Sequence, residues 1–100
     1  MIYYSVLDVT PTSNTWASEY VEPANRLVAK YGGKYLARTG NHEQLEGQSK
    51  APTLRVVIHW PSKEAAINFM NDPEYLPHLK ARTEGSISNH YLIEGLDEIS

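Results

Sequence analysis

Tyr75, Leu79 and Arg82 fall at i, i+4 and i+7, a spacing that puts them on one helix face, and His78 flanks them. An arginine in such a set can clamp an anion, and a tyrosine can donate a hydrogen bond. A pocket between that helix and a sheet would suit a small aromatic or anionic ligand. The competing reading has Arg82 pairing with a surface carboxylate while Tyr75 packs, a common and weak arrangement. His59 ends an apolar run, and a side chain that titrates near neutral pH can serve as a general base for enolisation or proton shuttling. A lone strand histidine is more often packed or solvated, so catalysis at His59 is one reading of two. Arg38 and Arg55 sit on neighbouring strands, and Arg55 shares its face with His59. An uncompensated buried charge is costly, so Glu46 or Glu94 is expected to neutralise them at an interface. That structural ion pair is favoured over a substrate-carboxylate clamp. Tyr4 on the first strand and Asn89 on the last join Arg38, Tyr75, His78 and Arg82 as candidate ligand contacts. Asn89 and His90 point to opposite faces, so only one of them can share a given cavity.

Other chemistries lack their residues. The histidines at 42, 59, 78 and 90 form no i, i+4 pair and there are no cysteines, so no metal site is expected. No nucleophile elbow, phosphate loop or dinucleotide glycine pattern appears, and no cofactor is expected. The nine Lys and Arg are scattered and the net charge is -3, which argues against nucleic acid as a partner. No apolar run approaches the ~20 residues of a membrane span, and Met1 to Ser5 lacks the basic start of a secretory signal. With no disulfide framework either, a cytoplasmic location is expected. Seven tyrosines against one phenylalanine suit interfaces and partly polar pockets.

The elements that position these residues are organised around Thr53 to Trp60. This β-branched apolar run reads as a buried strand, stopped by Pro61. Ser62 is a good N-cap and Glu64 suits a first turn, so a helix follows over 62–71 with Ala66, Phe69 and Met70 inward. Earlier in the chain, 2–10 reads as a central strand with Tyr3, Ser5, Leu7 and Val9 on one face. A helix spans 15–31, kinked or split at Pro23 and ended by Gly32-Gly33. Residues 34–39 form a second strand, which 42–47 can resume after a bend. After 71, Asp72 as N-cap and Pro73 at the first helical position restart a helix that runs to Glu84. Residues 86–94 make the last strand. The order βαββαβ in a single domain over 1–100 predicts an α+β ferredoxin-like plait, with a four-stranded antiparallel sheet and helices on one face. The bare face is too apolar to leave wet, so a homodimer packing sheet against sheet is expected.

The segment Lys30-Tyr31-Gly32-Gly33-Lys34-Tyr35-Leu36-Ala37-Arg38-Thr39-Gly40 resembles the domain of unknown function 1330. The resemblance continues through Leu45-Glu46-Gly47, Arg55 to Ile58, Trp60-Pro61-Ser62, Ala65-Ala66, Asp72 to Tyr75, Arg82 and Glu94-Gly95. The chain departs from that pattern at Trp60, where phenylalanine is common, and at His59, where an acidic residue is common. The resemblance implies the dimeric α/β-barrel superfamily, which includes cofactor-free monooxygenases, muconolactone-type isomerases and haem-degrading enzymes. Kinship of fold does not choose among reactions. Three readings follow: a small-molecule binder with a helix–sheet pocket, a cofactor-free monooxygenase or isomerase acting on a small aromatic or lactone substrate, and a purely structural dimer.

Overall fold

Strand β3 (Leu54–Trp60) hands over to helix α2 (Lys63–Met70) where Pro61 withdraws a backbone donor, and the Ser62 hydroxyl accepts from the Ala65 amide at 3.1 Å. The remaining elements of this computed structural model, which describes residues 1–99, are β1 (Tyr3–Pro11), α1 (Ala17–Lys30), β2 (Lys34–Thr39), α3 (Leu76–Glu84) and β4 (Ser86–Glu94). The four strands form one antiparallel sheet in the order β2-β3-β1-β4. The two crossovers therefore interleave, giving the ferredoxin-like plait with three helices rather than two.

Strand parity sets the two faces. Ser5, Leu7 and Val9 of β1 lie beside Ile58, Val56 and Leu54 of β3, and this side meets the helices. Ala24, Leu27 and Val28 of α1 and Ala66 and Phe69 of α2 close over it, with Trp60 fully buried between the layers. On the other side Tyr4, Val6 and Asp8 lie beside His59, Val57 and Arg55, and no helix covers them. Tyr91 and Ile93 of β4 are largely exposed there.

Four local expectations are corrected. Helix α1 is not split at Pro23 into two, because burial of Pro23, Ala24, Leu27 and Val28 on the sheet offsets the lost hydrogen bond. It ends at Gly32, whose φ of 79° lets the Gly32 and Gly33 amides reach the Ala29 and Val28 carbonyls. Residues 42–47 add no strand: β2 is an edge strand, and its one neighbour is fully paired to 34–39. The segment 72–75 is a turn, so α3 starts only at Leu76. The Asp72 carboxylate accepts from the Glu74 amide at 2.7 Å, from Tyr31 Oη at 2.5 Å and from Lys30 Nζ at 3.1 Å. These bonds, Tyr31's foremost, lower the Asp72 pKa to about 2 and tie the turn to the end of α1. Finally, Arg38 and Arg55 lie on opposite faces. The register shifts between Tyr35 and Ala37, and this bulge turns Arg38 to the helix side. Neither pairs with Glu46 or Glu94: Arg55 Nη1 meets Asp8 Oδ1 at 2.8 Å, and Arg38 Nη1 donates to Asn25 Oδ1 at 2.6 Å.

Candidate functional site

Between α1, α3 and the sheet the core stops short of closing. Leu7, Val9, Leu54, Val56 and Ile58 form the floor, and Trp16, Tyr20, Phe69 and Tyr75 form the walls of a cavity of about 180 Å³. Larger concavities elsewhere are open surface grooves. Trp16, just ahead of α1, is held at the rim by a 2.9 Å bond from its Nε1 to the Gly85 carbonyl. Gly85 is required there, since a Cβ would lie 2.3 Å from the indole. Trp16 meets Tyr20 edge-on at 5.4 Å, and Tyr75 stacks on Phe69 at 4.1 Å.

The polar groups gather on these walls. Tyr20 Oη and Tyr75 Oη are 2.6 Å apart, and burial, then the neighbouring Tyr20, push the Tyr75 pKa far up, so it stays a phenol. Arg82 is only 3% exposed, and its Nε and Nη1 have no hydrogen-bond partner. Burial opposes its charge, but the Tyr20 and Tyr75 oxygens outweigh burial and its pKa is raised. The surface-pair reading of Arg82 is thereby overturned: it is buried, and among the described residues no carboxylate pairs with it. Arg38 lies at the mouth, its guanidinium 3.8 Å above the Tyr35 ring.

His90 completes the lining. Trp60 Nε1 donates to Ser5 Oγ at 2.8 Å, and Ser5 Oγ lies 2.8 Å from His90 Nε2. Indole can only donate, so the Ser5 oxygen accepts there; with a second lone pair and one proton left, it either donates to or accepts from His90 Nε2, as the ring tautomer decides. Burial, then the Arg82 charge, push the His90 pKa down to about 4. Between that value and the ordinary value of 6.5 the unfolded chain binds more protons than the folded one, so stability rises with pH across this window. Wild-type protein is expected to lose on the order of 2 kcal/mol between pH 7 and pH 4 through this group. His90→Gln should flatten that part of a denaturation series by pH, and an unchanged slope would contradict the assignment.

The residues singled out in the sequence divide among three places. Tyr75, Arg82 and Arg38 converge on the cavity. His78 sits half-buried on α3 outside the lining. Tyr4, His59 and Asn89 lie on the uncovered sheet face, where Tyr4 meets His59 edge-on with ring centroids 5.7 Å apart. Trp16, Tyr20 and Tyr35 are cavity residues that sequence reasoning missed, and of the pair Asn89 and His90 it is His90, not the chosen Asn89, that lines the cavity. His90 was recoverable from parity, because it alternates with Ser88 and Leu92, but the register of β4 on β1 was not readable. Among the described residues no cluster of His, Asp and Glu could hold a metal, and no helix is long and apolar enough to cross a membrane.

A four-stranded antiparallel plait roofed by helices on one face has the ferredoxin-like frame. Residues 3–96 match the family described as Domain of unknown function (DUF1330), and the chain belongs to that family. No curated protein matches it. A protein of unknown function from Rhodopseudomonas palustris superposes with a TM-score of 0.77 at 16% identity, covering 96% of this chain and 83% of that one. SnoaB, a cofactor-independent oxygenase from Streptomyces nogalater, gives 0.64 at 20% identity, covering 98% and 96%. An antibiotic biosynthesis monooxygenase gives 0.50 at 19%, covering 97% and 100%. These likenesses establish the fold.

Proposed function

We propose that the chain binds a small, largely apolar molecule in the cavity between its helices and its sheet. The observation that carries this is the cavity itself: a partly enclosed space of about 180 Å³ whose walls are mostly side chains of the core. A well-packed core of this size has no reason to keep such a void, since each unfilled volume costs stability. An apolar cavity of roughly 150 Å³ accepts a single benzene-sized ring. Val56 lies on the floor and is 6% exposed, so Val56→Phe fills the space with few other consequences. Wild type is expected to bind benzyl alcohol by calorimetry, and Val56→Phe to lose at least about tenfold in affinity while keeping its circular dichroism. Equal binding by both would refute the site.

A second reading, cofactor-free chemistry on a small aromatic or lactone substrate, is favoured by His90. A neutral imidazole beside a buried guanidinium can move a proton while the cation holds the charge that develops. SnoaB, of the same fold, is described as a cofactor-independent oxygenase. His90 is better placed for this than His59, which would need a second site on the opposite face. The purely structural reading leaves the cavity unexplained.

The uncovered sheet face supports a homodimer. Val6 and Val57 form its centre, Tyr91 and Ile93 stand exposed beside them, and the Asp8–Arg55 pair is already neutral. Sedimentation is expected to show a two-chain species at micromolar concentration, and Val57→Glu to dissociate it. A single-chain species for the wild type would remove the dimer.

A further inference from the structure

The cavity's charge is unbalanced. Its lining holds two guanidinium groups, Arg38 and Arg82, and no aspartate or glutamate. Arg38 has a partner in Asn25 and a ring beneath it at the mouth. Arg82 is deeper, and its Nε and Nη1 are buried without partners. Glu84, the acid closest in sequence, is exposed and forms no ion pair with it, and Asp72 and Glu74 are already engaged, Asp72 by Lys30 and Tyr31 and Glu74 by Arg26. A buried cation without a counter-ion is strongly disfavoured unless something supplies the missing charge.

The other polar groups around it are donors waiting for an acceptor. The Tyr20–Tyr75 bond uses one of two hydroxyl protons, and the other has no acceptor among the described residues. Those facing the cavity are phenols, guanidinium groups and the His90 imidazole. The guanidinium groups can only donate and the phenols and the imidazole can donate, so a carboxylate, which only accepts and carries the missing charge, suits them better than a neutral group. The volume admits a single ring, and the walls are flat: Tyr20, Tyr35, Phe69 and Tyr75.

We propose that the cavity takes a single-ring aromatic monocarboxylate, its carboxylate on Arg82 and its ring against the aromatic walls. This rests on the binding reading above and adds the charge of the occupant. The test compares benzoate with benzyl alcohol, which has the same ring without the charge, by calorimetry at pH 7.5 on the wild-type chain, Arg82→Met and Arg82→Lys. Wild type is expected to bind benzoate at least about tenfold more tightly than benzyl alcohol. Arg82→Met should lose that preference but still bind benzyl alcohol, and Arg82→Lys should keep part of it. Equal affinity of the wild type for both probes would overturn the charge assignment and leave the pocket standing. Binding of neither would overturn both. The wild-type comparison decides the matter even if a variant folds poorly.

Discussion

Trp60→Ala is expected to destabilise the protein by about 4 kcal/mol, the largest loss of any single truncation in this fold. The side chain is fully buried, ends β3 and packs on Phe69 with ring centroids 5.3 Å apart. Its removal leaves a large void beneath α1 and α2. It also deprives Ser5 Oγ of its donor and so loosens the bond that orients His90. A chain of 100 residues has only about 5–15 kcal/mol in hand, so the loss is a large fraction of the total. The melting temperature should fall by roughly 20 °C. Urea denaturation measures it, and a change under about 1 kcal/mol would mean that Trp60 does not hold the two layers together.

Arg82→Met should move the unliganded protein in the opposite direction, stabilising it by about 1–2 kcal/mol. Replacing a buried, unbalanced charge by an apolar side chain of similar length removes a desolvation cost with no ion pair to lose. The tyrosine oxygens that support the guanidinium keep each other as partners, which limits what is forfeited. A group that weakens the empty protein is one whose benefit comes with an occupant, and such trade-offs gather at binding sites. Thermal melts without ligand read the gain. A melting point lowered by several degrees would show that Arg82 is structural, held by its tyrosine neighbours.

The β3–α2 junction was readable because Pro61 and Ser62 act locally, one withdrawing a donor and the other capping a helix. Strands 34–39 and 86–94 were readable because glycines bound them. Pro23 misled, since its local cost is outweighed by burial that only the tertiary fold supplies. The start of α3 misled because Asp72 caps a turn and spends its other oxygen on α1, four elements earlier in the fold's logic but adjacent in space. The site was half legible. Tyr75 and Arg82 share one short segment, so their spacing pointed to them. Arg38 reaches the cavity only through the bulge at Leu36, and His90 only through the register of β4, and neither is written in local propensity. Tyr4 and Asn89 looked like companions of Arg82, yet strand parity sends them to the other face, beside His59 and Asp8.

The central claim is that the helix-side cavity, and not the uncovered face, receives a small molecule. Methyl-labelled protein titrated with benzoate and followed by NMR tests it most directly. The account predicts saturable shifts at Leu7, Val56 and Ile58, with Val6, Val57 and Ile93 unmoved. Shifts confined to the second group, or to neither, would contradict it.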